Sequence, residues 1–330
     1  MERISLSNAA FEGNNNVFVF DDGPETVLID TGDSTPTTKQ QLEAGLEERD
    51  IEFADVDVIF LTHWHGDHSG LAGEIQAQSG AKVYAHSADA PLIRGDSDAW
   101  SSLRSLQESR FEEWGMPPEK QESLREWLHE HENERESPHV RTFEDGETFS
   151  FNGRELTVAH RPGHAAGLCV FEREVAGRND VFCGDAMLPV YTPNVGGADV
   201  RVSQPLIKYL RSLQRMIDAD YDRAWPGHRS VIERPAQRAT EIITHHEERA
   251  WRVLNALSKR GPSDAWTVSD ELFGDLDGIH ILHGPGEASA HLEQLHDSGE
   301  VIATDGTYRL TAETETALRE RDDDRWPIQY

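Results

Sequence analysis

Residues 56–68 read Val56-Asp57-Val58-Ile59-Phe60-Leu61-Thr62-His63-Trp64-His65-Gly66-Asp67-His68. The first six form a nearly continuous apolar run, which predicts a strand buried on both faces. Three imidazoles and a carboxylate follow at once. Side chains two apart on an extended loop point the same way, so His63 and His65 can face one ion. Asp67 and His68 fall where a helix begins and would turn toward a second ion about 3.5–4 Å from the first. Gly66 reads as the residue that lets the loop turn tightly between the two pairs.

Three further ligand groups follow, each behind a glycine at the apparent end of a strand: Gly163-His164, Gly184-Asp185 and Pro226-Gly227-His228. Strand ends can aim ligands at one rim from several directions. A structural zinc site is closed by four ligands, often cysteine, whereas five imidazoles and two carboxylates leave positions open for water. That stock suits hydrolysis by two metals, which needs hydroxide at neutral pH, a held electrophile and charge stabilisation of the leaving group. His86, His160, His245 and His246 lack this register and read as surface or packing residues. His129, His131 and His139 read as solvated, and Tyr191, Thr192 and Asn194 as possible pocket lining.

Outward from these motifs, short strands are expected at 17–20, 26–29, 82–85, 141–143, 148–151, 155–159, 169–172, 180–183 and 224–225, and helices near 37–49, 71–78 and 206–217. From about 90 to 137, Trp100, Leu103, Phe111, Trp114, Leu124, Trp127 and Leu128 recur at helical spacing in charged sequence, which predicts a helical insertion. After Glu233 come helices near 236–259, 268–273 and 286–296, then a hairpin around Asp305-Gly306 and a loosely held tail from Arg321.

At 330 residues the chain is long for one domain, so a core of about 200 residues plus a smaller module is expected. The net charge is −30, from 61 acidic and 31 basic residues, with lysine only at 39, 82, 120, 208 and 259. With a mean hydropathy of −0.63, this is the composition of a protein kept soluble in concentrated salt, as in a halophile. There the Debye length falls to about 3 Å at 1 M and carboxylate repulsion is screened. Such charge disfavours nucleic acid as a partner. Cys169 and Cys183 make no disulfide framework, there is no basic-plus-apolar leader, and no apolar run approaches membrane length. A cytoplasmic location is therefore expected, with no membrane contact.

The ordered set His63-x-His65-x-Asp67-His68, His164, Asp185 and His228 resembles the metallo-β-lactamase superfamily of hydrolases, over about residues 4–232. The resemblance implies an α/β fold, an αββα sandwich over residues 1–232 with the helical insertion inside it and the site at one sheet edge. Residues 233–330 resemble a C-terminal winged-helix domain, found in a subgroup with a mitochondrial endoribonuclease and esterase- or thioesterase-like proteins. Carried over position by position, His63, His65 and His164 would bind metal 1, Asp67, His68 and His228 metal 2, and Asp185 would bridge them. The implied cofactors are two divalent metals, zinc first, with iron or manganese as alternatives.

Asp185 stands where common zinc lactamases have cysteine, which is similar to glyoxalase II and to phosphodiesterase-like branches; Cys183 reads as a small buried strand residue. His65 stands where diiron flavoproteins usually have glutamate, and Ala165 where many members have threonine or serine. The implied activity is hydrolysis of a small ester or thioester by a metal-bridging hydroxide, as in hydroxyacylglutathione hydrolases. In it Asp67 ligates metal 2 and takes the proton as the tetrahedral intermediate forms. Alternatives are a phosphodiesterase or endoribonuclease, a mononuclear iron persulfide dioxygenase, and a non-enzymatic DNA-binding arm. The candidate recognition helix, 286–299, has Glu287, Glu293 and Asp297 but no Lys or Arg, so packing or homodimerisation is expected of it instead.

Overall fold

A computed structural model of the chain describes residues 1–8, 13–130 and 135–330; His131 lies outside them. In one six-stranded sheet β1 (Glu2–Leu6), β2 (Asn15–Phe20), β3 (Val27–Ile29), β4 (Val58–Phe60), β5 (Lys82–His86) and β6 (Val140–Phe143) lie side by side in chain order. β1 to β3 pair antiparallel, and β3 to β6 parallel. β4 has parallel neighbours on both sides and every residue buried, which explains its unbroken apolar run.

The second sheet has the order β11-β10-β9-β8-β7, from β7 (Thr148–Phe151), β8 (Arg154–His160), β9 (Cys169–Val175), β10 (Arg178–Gly184) and β11 (Arg223–Pro226). Only β10 and β11 pair parallel. The sheets share one core in which Phe18, Phe20, Phe60 and Phe143 of the first meet Phe151, Phe171 and Phe182 of the second. Edge-to-face pairs lock them, Phe18–Phe182 at 4.9 Å and Phe20–Phe151 at 5.4 Å. Burying each such ring contributes about 1.5–3 kcal/mol, enough to hold the strand ends in fixed register.

The helices are α1 (Pro36–Glu47), α2 (Gly66–Ser69), α3 (Ala72–Ser79), α4 (Ala90–Ile93), α5 (Ser97–Glu113), α6 (Pro118–Glu130), α7 (Pro205–Asp218), α8 (Pro235–Arg260), α9 (Ala265–Phe273), α10 (His280–Asp297) and α11 (Ala312–Glu320), with the hairpin β12 (Val301–Thr304) and β13 (Thr307–Leu310) before the last. Asp305 and Gly306 both have positive φ, 48° and 77°, the two-residue turn expected of Asp-Gly. On α7, the helix expected near 206–217, an apolar stripe is buried at Leu206, Tyr209, Leu210, Leu213 and Met216.

The chain forms two compact units. One holds the described residues of Met1–Ser101, Asn133–Pro193 and Leu213–Ala239, and with them both large sheets; the other holds those of Ser102–Glu132, Asn194–Ser212 and Thr240–Tyr330. Within the second, the Trp266 N–H donates to Trp114 O at 2.8 Å, and Lys120 Nζ meets Asp275 Oδ1 at 2.6 Å. Compactness thus divides the chain discontinuously, whereas the sequence reading divides it linearly at 232/233.

Two local expectations need correction. α10 begins six residues before the expected start and runs through Pro285. Gly284-Pro285-Gly286 looks like a helix stop, but both glycines are there for close packing. A Cβ on Gly284 would lie 2.3 Å from Leu276 Cδ1, and one on Gly286 2.4 Å from Gly197 Cα. Nor is the tail loose: Trp326 and Ile328 are buried, and the Trp326 N–H donates to Glu247 O at 3.0 Å.

Candidate metal centre

The structure brings together all seven residues singled out by the sequence. His63 Nε2 lies 2.9 Å from His65 Nδ1, which lies 3.1 Å from His164 Nε2. His228 Nε2 stands 3.4 Å from both Asp67 Oδ2 and Asp185 Oδ2, and His68 Nε2 stands 3.5 Å from Asp185 Oδ1. Asp185 Oδ2 is also 3.7 Å from His164 Nε2, so this one carboxylate faces both groups.

The loops that deliver these ligands are shaped for close approach. A Cβ on Gly227 would sit 2.4 Å from His68 Cε1 and 2.7 Å from Asp185 Oδ1, so only glycine lets the His228 loop pass. Gly184, at φ 47°, abuts Thr62 in the same way. Gly66 does not do what the sequence suggested. Its φ is not positive, and a Cβ there would meet only Asp33 Oδ1 at 3.8 Å. It is the first residue of α2, with His65 as the N-cap.

These donors fit divalent cations. Two ligands of a tetrahedral ion, each about 2.0–2.1 Å from it, lie about 3.3 Å apart, close to the spacings of the His63, His65 and His164 nitrogens. His68 Nε2 and Asp185 Oδ1 are buried without a hydrogen bond, a cost of about 1–3 kcal/mol for each neutral group and more for a charged one. A cation held by these residues would remove that cost. Burial and the neighbouring His68 and His65 charges hold His63 neutral, well below the ordinary histidine range. Burial pushes the Asp67 and Asp185 carboxyls up, but the His68 and His228 charges outweigh it and hold both below the usual carboxylate range. Against burial, the same carboxylates raise His68 well above its usual value and His228 to about 10. Without a metal, protons on these two rings balance the buried negative charge; a metal ion would replace them.

Sequence reasoning missed the supporting groups. Asp30, buried at the end of β3, accepts from Thr62 N (2.8 Å) and pairs with His68 Nδ1 (2.9 Å). Asp89 accepts from Trp64 N at 3.2 Å and from Gly167 N at 3.0 Å. An aspartate closing the apolar run Val27-Leu28-Ile29, just before Thr31-Gly32, was the one signal the sequence offered for Asp30. Gly13 O lies 3.0 Å from His228 Nδ1.

Other candidates fall elsewhere. Asn194 is committed to Gly197 N, Ala198 N, His283 O and Glu287. Tyr191 is exposed, with the Arg229 guanidinium 4.7 Å from its ring centre. His129 and His139 are exposed, whereas His86 and His246 are buried. Cys183 is buried in β10, and burial pushes its thiol far up.

A second trio, His246, Glu287 and His291, also brings possible ligand atoms together, but it does not fit a cation. Arg249 Nη1 already takes Glu287 Oε1 at 2.8 Å, so a divalent ion would sit beside a guanidinium with two neutral imidazoles. Instead His291 Nδ1–H donates to Glu287 O (2.8 Å), which leaves its Nε2 to accept from His246 Nδ1–H (3.2 Å). Burial, with Arg249 nearby, lowers His291 to about 3. The folded value is below the unfolded 6.5, so the unfolded chain binds the extra proton between them. This stability is present above pH 6.5 and is lost as pH falls toward 3, at about 1.4 kcal/mol per pH unit per histidine. Thermal melting of His291→Gln should therefore show a shallower acid limb than the parent. An unchanged slope would refute the assignment.

The sequence profile of the metallo-beta-lactamase superfamily matches residues 10–228, and the chain belongs to that superfamily. It is 30% identical to a metallo-beta-lactamase family protein of Thermus thermophilus, with a TM-score of 0.78 covering 94% of this chain and 98% of that one. It is 26% identical to the probable metallo-hydrolase YqjP of Bacillus subtilis, over 83% of this chain and 85% of that protein. It is 27% identical to the lactamase-like protein aptB of Emericella nidulans, over 74% of this chain but only 60% of the fungal protein's length. These relatives place the chain among hydrolase enzymes. Among the described residues, no helix is long and apolar enough to cross a membrane.

Proposed function

We propose that the chain is a dinuclear metal-dependent hydrolase of an ester or thioester. The observation that carries this reading is the convergence of five imidazoles and two carboxylates on one spot. His63, His65 and His164 would hold one cation, Asp67, His68 and His228 the other, with Asp185 between. Bound there, two cations supply Lewis acidity and bring the pKa of water toward neutrality; zinc suits the all N/O set, with iron or manganese as alternatives.

The protein's own groups do the rest. Asp30 and Gly13 O accept the Nδ1–H of His68 and His228, which leaves each Nε2 lone pair aimed inward. Asp67 Oδ2 faces His228, while Oδ1 takes no hydrogen bond among the described residues. Oδ1 is the atom we assign to receive the proton as the carbonyl becomes tetrahedral, a role worth about 10²–10⁴-fold.

The −30 charge and the Lys- and Arg-free α10 favour a small acyl substrate over a polyanion. We read α8–α10 with the β12–β13 hairpin as a winged-helix module used in packing or dimerisation, in a cytoplasmic halophilic protein.

Metal analysis followed by parallel assays of an acyl thioester and single-stranded RNA in molar KCl tests this reading. Two transition-metal ions per chain with thioester turnover are expected. RNA cleavage alone would replace the reading with phosphodiesterase chemistry, and one iron with oxygen uptake would replace it with persulfide oxidation. A chain that retains no metal sinks it.

A further inference from the structure

We propose that Asn15, with Asn8, is a positioning clamp for the Asp67/His228 half of the centre and not for the His63/His65/His164 half. This rests on the two-cation reading above. Asn15 opens β2 and is 3% exposed. Its Nδ2 donates to Asp67 O at 3.0 Å and to Asp67 Oδ2 at 3.1 Å. Its Oδ1 accepts from Asn8 Nδ2 at 2.7 Å, and that nitrogen also reaches Asp67 Oδ2 at 3.2 Å. Two amides thus converge on one carboxylate oxygen, the one that faces His228 Nε2.

The same strand end holds the other ligand. The Asn15 backbone forms a bridge with that of His228. The Asn16 N–H donates to Gly227 O at 2.7 Å, and Asn16 Nδ2 donates to Pro226 O and Arg229 O at 2.8 and 2.9 Å. Consecutive asparagines therefore tie Asp67 and the His228 loop to one point of β2. The other half has different supports: Thr62 Oγ1 lies 3.1 Å from His63 Nδ1.

A carboxylate can present either oxygen by rotating about its last bond. Amide donors on Oδ2 stop that rotation and favour the anion through charge-assisted hydrogen bonds. A side-chain amide does not titrate, so the clamp acts alike across the pH range. Neither asparagine touches the reacting atoms in this account; both act through Asp67.

The test is cobalt(II) titration of metal-free protein, followed by d–d absorption and zinc competition. The parent should bind two ions. Asn15→Ala should weaken one of them by about 10–100-fold, the usual cost of losing a ligand's supporting partner, and leave the other unchanged, with melting within a few degrees. Asn8→Ala should weaken the same site by less, and it carries the test if Asn15→Ala does not fold. Equal weakening of both sites means general loosening and overturns the clamp. Two intact sites in both variants overturn it as well. A parent that binds no cobalt removes the two-cation reading itself.

Discussion

Asp185→Asn is expected to lower kcat/KM by about 10³-fold or more, a loss of about 4 kcal/mol of transition-state stabilisation, with the fold retained. Asp185 is the residue on which both halves converge, within 3.4 to 3.7 Å of nitrogens on His228, His68 and His164. An amide of the same size fills the space but removes the charge and turns one of the two oxygens into a donor. Metal content should fall with activity. A variant that keeps more than a tenth of parental turnover would show that Asp185 does not lie between two cations.

The same substitution should also show in metal-free protein. His228 is held at about 10 and His68 well above 6.5 by Asp185 and Asp67, against burial. Their folded values exceed the unfolded 6.5, so this stabilisation is full below pH 6.5 and fades as pH rises toward 10. Asp185 itself is held below 3.8, so its share is lost as pH falls through the acid range. The melting gap between metal-free parent and Asp185→Asn should therefore be widest from about pH 4 to 6.5 and close toward pH 10. A gap that widens with pH contradicts the pairing.

Asp67→Asn is expected to remove most turnover, by about 10²–10⁴-fold, while leaving the chain folded. An asparagine there still offers one oxygen to Asn15 and Asn8, so the hydrogen bonds that anchor the loop survive. What it loses is the charge facing His228 and the second oxygen that can take a proton. Turnover and melting measured on the same preparation separate the two effects. Full activity rejects the assigned role, and a large drop in melting temperature means that the loop itself depends on the charge.

Much of the site was legible because its chemistry is local in sequence. His63, His65, Asp67 and His68 sit together on one loop, and β4 before them is a run of apolar residues that only a doubly covered strand tolerates. The hairpin at Asp305-Gly306 was legible for the same reason. Asp30 was not: its side chain reaches His68 only because β3 pairs in parallel with β4, and no periodicity encodes that register. Asn15 was hidden likewise, 52 residues from the aspartate it holds. The early start of α10 was not legible, because Gly284-Pro285-Gly286 permit close packing and burial of Ile281, Leu282 and Ala288 outweighs the proline inside the helix.

Sequence alone determined the inventory: which ligands, in what order, behind which strands, and on how acidic a chain. Only the tertiary structure decided that His65 turns Nδ1 inward where His63 and His164 turn Nε2, and that Asp185 faces both groups. It also decided that Gly13 O holds His228 from 215 residues away. Ligand identity is a property of each residue, whereas ring orientation is set by partners that strand pairing and loop closure bring together over long separations.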